Sequence, residues 1–505
     1  MTDNNHKIRT RFAPSPTGFV HIGSLRTALF SFLFARHNGG SHALRIEDTD
    51  QNRFVEGSLE NLIKIMKLVG VEFDEGPQIE NGIIKQVGDF GPYIQSERKE
   101  QGIYQKYADQ LLAEKKAYYC FCTEQRLEDL RKEQTALKKP PMYDRHCYKL
   151  SPDEVQKMIE EFKEAGKNPV IRFLIPEGQT TIHDLIYGDI TYHNSVLDDQ
   201  VILKSDGFPT YHLAVVVDDH LMEISHVIRG EEWIPSTPKH LLLYKAFGWQ
   251  PTEFAHLPLI LNPDKSKLSK RQGDVSVEDF LDKGYLPEAL LNFVAFLGWN
   301  PKTEQELFSL DELTQQFDLA KVNKSGAVLD MNKLDWLNGL YIRSKSDSEL
   351  RILLTPYLEK SGVDVKNFKP EYLEAIANLE KERLKKLSDI GEGSGYYFKQ
   401  PEYEGGLLVW KKSTAEDAKQ KLSELADLLS ATDENKFSKN DLETSIKNFI
   451  AEKKYDNGSV LWPLRVALTG REKSPGPFEV CAVLALGLGK EEVLNRLKIA
   501  SGKIL

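Results

Sequence analysis

Lys7-Ile8-Arg9-Thr10-Arg11-Phe12-Ala13-Pro14-Ser15-Pro16-Thr17-Gly18-Phe19-Val20-His21-Ile22-Gly23-Ser24 decides how this chain folds. Lys7 to Phe12 alternates in polarity and predicts a strand, and a Pro- and Gly-containing turn follows it. From Gly23 onward, Leu25, Leu29, Phe32 and Leu33 recur at helical spacing until Gly39-Gly40 stops the helix. His42 to Ile46 predicts a second strand, ending in Glu47-Asp48-Thr49-Asp50. Strand, helix, strand is the right-handed crossover of a doubly wound parallel sheet, in which ligands bind beyond the carboxyl ends of the strands. Arg11 to Gly18 and Glu47 to Asp50 both fall on that rim.

A lone histidine ahead of a helix is more often a cap or a core residue than a functional one. Here it follows a Pro-x-Pro-x-Gly turn and is answered downstream by Lys267-Leu268-Ser269-Lys270-Arg271. A helix N-terminus offers N–H groups and the positive end of a dipole to a phosphate, and glycine lets the ligand approach the backbone. His21 can donate to phosphate oxygens as charge builds at the α-phosphorus. The basic stretch would be a solvated turn anywhere else. It follows the apolar run Leu257 to Leu261, read as a central strand, so Lys270 is expected to neutralise a pyrophosphate leaving group. The pair predicts an adenylating enzyme.

The chain resumes its strand and helix pattern at Gly207 to Asp219. The strand Ser225 to Ile228 follows, with Arg229-Gly230-Glu231-Glu232 at its carboxyl end. Arg11 and Arg229 at strand ends could be surface ion pairs. Facing one pocket, two planar forks suit an anion, and Glu47 suits an ammonium group. Two forks and one carboxylate fit an acidic amino acid, with Tyr211 as a wall. The intervening stretch, from about residue 105 to 207, reads as an insertion with a charged helix over Glu124 to Lys139. Beyond about residue 280 the periodicity turns helical: Pro287 to Phe296, Leu310 to Phe317, Asn332 to Leu340, Leu373 to Leu387 and Ala415 to Leu429.

With 505 residues the chain is too long for one core. Its 40% apolar and 28% charged content places it among ordinary globular proteins, neither disordered nor membrane-spanning. No apolar run reaches the about 18 residues a membrane helix needs, and residues 1 to 7 carry no apolar signal core. Four cysteines are too few for a disulfide framework, so a cytoplasmic location is expected. The net charge of −10 neither requires nor forbids a nucleic-acid partner, because phosphates respond to local patches. Cys120, Cys122 and Cys147 have a metal-like clustering, with Tyr143 and His146 nearby. A closed zinc site takes about four ligands; three thiols leave zinc and plain buried thiols both open.

Arg-Phe-Ala-Pro-Ser-Pro-Thr-Gly, His-Ile-Gly-Ser and Arg-Ile-Glu-Asp-Thr-Asp, all between Arg11 and Asp50, together resemble bacterial glutamyl-tRNA synthetase, a family of class I aminoacyl-tRNA synthetases. Further matches are Pro209 to Ala214, Arg229-Gly230-Glu231-Glu232-Trp233, the Lys267 to Arg271 version of the KMSKS loop, Lys333 to Gly339 and Trp462-Pro463-Leu464-Arg465. The resemblance covers nearly the whole chain. Ala-Pro-Ser-Pro-Thr-Gly is similar to the glutamate enzymes rather than to the glutaminyl ones.

The resemblance implies ATP-dependent attachment of L-glutamate to tRNA(Glu) through a glutamyl-adenylate, with Mg2+ accompanying ATP. It implies that His21, Lys267 and Lys270 are catalytic, and that Arg11, Ala13, Ser15, Glu47, Tyr211 and Arg229 line the glutamate pocket. His21, Gly23, Glu232 and Lys270 would contact ATP, and Arg383 falls where the family reads anticodon bases. The implied organisation is a Rossmann-type catalytic domain (residues 1–107 and 208–262) interrupted by an α/β connective insertion for the acceptor stem (108–207). A stem-contact region with the KMSKS-like loop (263–345) and an all-α anticodon-binding region (346–505) follow. A monomer with no membrane association is implied. Ser24-Leu25-Arg26-Thr27-Ala28 departs mildly from the family's usual run after the His-x-Gly signature. Where zinc-binding members carry a histidine, this chain has Lys149, so Tyr143 or His146 would have to serve instead. Two rivals are a truncated tRNA-modifying relative and a non-catalytic RNA-binding paralogue; the long chain beyond Arg271 opposes the first, and intact His21, Lys267 and Lys270 oppose the second.

Overall fold

The computed structural model describes residues 7–268, 276–411 and 413–504. Strand β1 (Arg9–Phe12), helix α1 (Ile22–His37) and strand β2 (Ser41–Leu44) form the expected crossover. β1 and β2 run parallel in a register that sets Arg9 opposite Ser41 and Phe12 opposite Leu44. α1 is buried on most sides (Ile22, Leu25, Leu29, Phe30 and Leu33 are inaccessible), which explains a helix with little amphipathic contrast.

β1 also pairs in parallel with the strand His226–Gly230, which pairs in turn with Glu253–Leu257. The sheet is extended by Gln179–Asp184, parallel to Glu253–Leu257, and closed by Gly188–His193, antiparallel. These last two strands lie inside the stretch read as an insertion. The rest of that stretch holds a three-stranded antiparallel sheet of Ala117–Cys120, Val170–Phe173 and Val201–Leu203, with the helices Glu124–Ala136 and Pro152–Glu164.

The apolar run Leu257 to Leu261 does not form one central strand. Pro258 has no N–H to give a ladder, and its carbonyl accepts instead from Arg26. Ile260–Leu261 pairs with Ala327–Val328 in a separate ribbon.

By contacts the chain divides into two compact units, residues 1–281 with 290–331, and residues 282–289 with 332–505. In the second unit all named elements are helical. Its core includes Leu350, Leu354, Ile376, Leu422, Leu464, Val493 and Leu497. The predicted helix Leu373 to Leu387 ends at Glu380 because the following backbone bonds elsewhere. The Lys385 carbonyl accepts from the buried Asn338 side chain at 2.6 Å, and Leu387 N–H donates to the Gly284 carbonyl at 3.0 Å. Among the described residues no helix is long and apolar enough to cross a membrane.

Candidate active site

A cavity of about 450 Å³ opens at the carboxyl rim of the parallel strands. Arg11, Ala13, Ser15, His21, Gly23, Glu47, Tyr211, Arg229, Glu232 and Lys267 all line it. Lys270 belongs to the stretch 269–275, outside the described residues.

The loop after β1 is fixed by backbone bonds: the Pro14 carbonyl accepts from Glu47 N–H at 3.0 Å and the Pro16 carbonyl from Val55 N–H at 2.9 Å. His21 caps α1 in an extended conformation, its Nδ1 accepting from Ser24 N–H at 3.2 Å. The first turn of α1 carries no acidic side chain, so nothing on the helix itself offsets the positive end of its dipole. A Cβ on Gly23 would stand 3.1 Å from the His21 ring. Glycine is what lets the ring lie there. Lys267 bridges to Leu261 and Ser276 bridges to His21, so both described ends of the 269–275 stretch are tied to the cavity rim.

Two buried charges that carry no role in the sequence motifs, Arg45 and Asp219, organise Arg11 and Glu47. Asp219 Oδ1 accepts from Arg11 Nε at 3.1 Å and from Arg45 Nη1 at 2.6 Å. Arg45, fully inaccessible, donates its Nη2 to Glu47 Oε1 at 2.9 Å. Burial alone would push Asp219 up, but Arg11 and Arg45 outweigh it and its pKa lies below the ordinary value. Burial prevails over Arg45 and Arg11 at Glu47, whose pKa is raised. A signal for this network stood in the sequence: Asp218-Asp219 ends the inaccessible run Leu213 to Val217, where an unpaired carboxylate would be prohibitively costly.

The two guanidinium forks are not equivalent. Arg11 spends only Nε within the described protein, so its two terminal nitrogens remain for a ligand. Arg229 is held on every nitrogen: Nε to His256 Nε2 at 3.1 Å, Nη1 to the Tyr211 hydroxyl at 2.9 Å, and Nη2 to Thr237 Oγ1 at 2.7 Å. Nη1 also approaches His240 Nδ1 at 3.5 Å. Tyr211 packs on Trp233 with ring centroids 4.5 Å apart. The Glu232 carboxylate folds over Gly230, where any Cβ would collide with it. The arrangement offers an open cationic fork, a carboxylate and a helix N-terminus to one cavity.

Cys120, Cys122 and Cys147 place their sulfurs within 4.8 Å of one another. The Tyr143 hydroxyl lies 3.3 Å from Cys122 Sγ and 3.5 Å from Cys120 Sγ. The neighbouring Cys147 thiol holds Cys120 below the ordinary thiol range against the opposing effect of burial. The three converging sulfurs supply three of the about four ligands that a closed zinc site takes. The His146 backbone donates its N–H to Asp144 Oδ1 at 3.2 Å, and its carbonyl accepts from Lys149 N–H at 3.2 Å. Arg383, in the helical unit, is 45% exposed at its side chain and pairs with Glu380 at 3.7 Å.

Residues 7–336 match the catalytic domain of the class I tRNA synthetases (E and Q), and residues 349–501 match an anticodon binding domain. A glutamate–tRNA ligase from Alkaliphilus metalliredigens is 46% identical over 97% of this chain and 98% of its own. One from Clostridioides difficile is 46% identical over 99% and 100%. The solved structure of a glutamate tRNA ligase from Elizabethkingia meningosepticum, in complex with its amino acid, superposes with a TM-score of 0.88 at 37% identity, covering 99% of this chain and 100% of that one. Catalytic rim, helical second unit and near-complete coverage agree, and the chain belongs to the glutamate–tRNA ligase family of class I aminoacyl-tRNA synthetases.

Proposed function

We propose that the protein activates L-glutamate with ATP and transfers it to the terminal ribose of tRNA(Glu), releasing AMP and pyrophosphate. The observation that carries this reading is the fixed pair Arg11 and Glu47, held through Asp219 and Arg45 beside the N-terminus of α1 in one cavity. Glu47 receives the substrate ammonium, and Arg11 receives a carboxylate with its open fork. Tyr211 and Arg229 complete the pocket, with Ala13 and Ser15 lining the loop behind it. The α-carboxylate attacks the α-phosphorus of ATP, which Mg2+ accompanies. His21 and the α1 dipole stabilise the growing negative charge, and Gly23 keeps the backbone approachable. Glu232 meets the nucleotide, while Lys267 and Lys270 neutralise the leaving pyrophosphate. The tRNA hydroxyl then attacks the adenylate carbonyl. No protein nucleophile is required: catalysis is positioning and electrostatics.

The domain organisation that accompanies this reading assigns 1–107 and 208–262 to catalysis, 108–207 to the acceptor stem, 263–345 to stem contact and 346–505 to the anticodon. Cys120, Cys122 and Cys147 would hold a zinc ion only with Tyr143 or His146 serving as the fourth donor, and plain buried thiols are the alternative; the enzyme acts as a cytoplasmic monomer. Exchange of pyrophosphate into ATP, assayed with glutamate and tRNA, tests the activity; absence of exchange would favour the non-catalytic alternative. Zinc measured in the purified protein at one per chain supports the metal site, and its loss in Cys147→Ala identifies it.

A further inference from the structure

Arg229 is oriented by a hydrogen-bonded chain that begins two strands away. Asp184 ends the strand Gln179–Asp184, and His256 lies in the neighbouring strand Glu253–Leu257; both side chains are inaccessible to solvent. Asp184 Oδ1 accepts from the N–H groups of Ile186 and Tyr187, at 2.9 and 2.8 Å. Its Oδ2 accepts from the His256 backbone N–H at 3.1 Å and faces His256 Nδ1 at 2.6 Å. A carboxylate only accepts, so Nδ1 carries the ring proton. The Nε–H of Arg229 only donates, so His256 Nε2, 3.1 Å away, presents its lone pair. These two constraints select one neutral tautomer.

The opposite side of Arg229 is arranged in the same sense. His240 Nδ1 faces Nη1, so the proton on His240 Nε2 points to His212 Nδ1 at 3.0 Å. Thr237 Oγ1 accepts from Nη2 and donates to the Trp233 carbonyl at 3.1 Å. The guanidinium plane is thereby fixed where Arg229 lines the cavity.

We propose that Asp184 and His256 are positioning residues for amino-acid binding, holding the Arg229 fork in its productive plane through the Nδ1–H tautomer. This rests on the reading of Arg229 as belonging to the glutamate pocket. Asp184→Asn leaves size unchanged but must present an NH2 to N–H donors. If the amide nitrogen takes the Oδ2 position, the ring shifts to the Nε2–H tautomer and faces Arg229 donor to donor. His256→Asn retains a donor toward Asp184 and removes the Nε2 acceptor.

The experiment measures KM for glutamate and for ATP in tRNA charging by the full chain, for Asp184→Asn, His256→Asn and Arg229→Lys. The expected result is a glutamate KM raised about tenfold or more in all three, from the lost or reversed charged hydrogen bond, with the ATP KM within about twofold of wild type. If Asp184→Asn does not fold, His256→Asn decides alone. A glutamate KM unchanged in folded His256→Asn but raised in Arg229→Lys overturns the relay and leaves the pocket intact. Glutamate KM unchanged in Arg229→Lys overturns the assignment of Arg229 and the relay with it. A parallel rise of both KM values shows general loosening of the sheet edge and also overturns the relay.

Discussion

Arg11 and Asp219 stand 208 positions apart in sequence, yet Nε and Oδ1 meet at 3.1 Å with both side chains at most 5% exposed. The contact joins the end of β1 to the helix Tyr211–Leu221, and Arg45 reaches the same carboxylate oxygen. One acid therefore fixes two cations, Arg11 in the cavity lining and the inaccessible Arg45.

Removing that acid should be costly. Asp219→Ala leaves Arg11 and Arg45 without their buried partner, and a loss of about 3–5 kcal/mol is expected in urea unfolding. The effect depends on pH with a definite sign. The folded pKa of Asp219 is depressed, so its stabilisation is present above the unfolded value of about 3.9 and disappears as pH falls through the lower folded value. The wild-type and Asp219→Asn unfolding curves should therefore approach each other on acidification below that range.

Glu47 gives the opposite sign. Burial raises its pKa, so it protonates at a higher pH than an ordinary glutamate at about 4.3, and the carboxylate needed for an ammonium group is lost early on acidification. Glutamate KM should rise as pH is lowered toward that range. Glu47→Gln should have a high KM throughout, with a flat profile over the same interval.

His21→Ala and Lys270→Ala should each slow pyrophosphate exchange by about 10²–10³-fold, the scale for removing one preorganised donor at a charged transition state. His21→Ala, which loses the α1 cap, should lower stability by about 0.5–2 kcal/mol, and Lys270→Ala should change thermal melting little. Exchange at the wild-type rate in both would remove them from the mechanism.

Gly23→Ala separates helix stability from chemistry. Alanine favours a helix by up to about 1 kcal/mol over glycine, yet its Cβ would press on the His21 ring at 3.1 Å. Slower exchange with an unchanged or higher melting temperature is the expected pair of results.

The crossover at Lys7 to Ile46 and the helical second unit were legible because hydrophobic period and Gly-Pro punctuation are local properties. The cavity's lining was legible too: Arg11, His21, Glu47, Tyr211 and Arg229 do share one space. What periodicity could not supply was pairing. Arg45 meets Asp219, and Asp184 meets His256, across long sequence separation; the buried acid Asp219 signalled that a partner was needed, but not which one. The Leu257 to Leu261 run misled for a related reason. A short apolar segment looks alike whether it sits in the main sheet or in a ribbon with Ala327–Val328, and only Pro258 hinted at the division.

The hairpin Gln179–His193 limits how far this architecture can be trimmed. Excising residues 108–207 as though they were a detachable module would strip the partner from Glu253–Leu257 and bare its backbone edge, an invitation to intermolecular strand pairing and precipitation. A soluble minimal enzyme would have to retain that hairpin while discarding the Cys-bearing region. The inserted stretch and the parallel sheet thus share a physical seam, and neither can be redesigned without regard to the other.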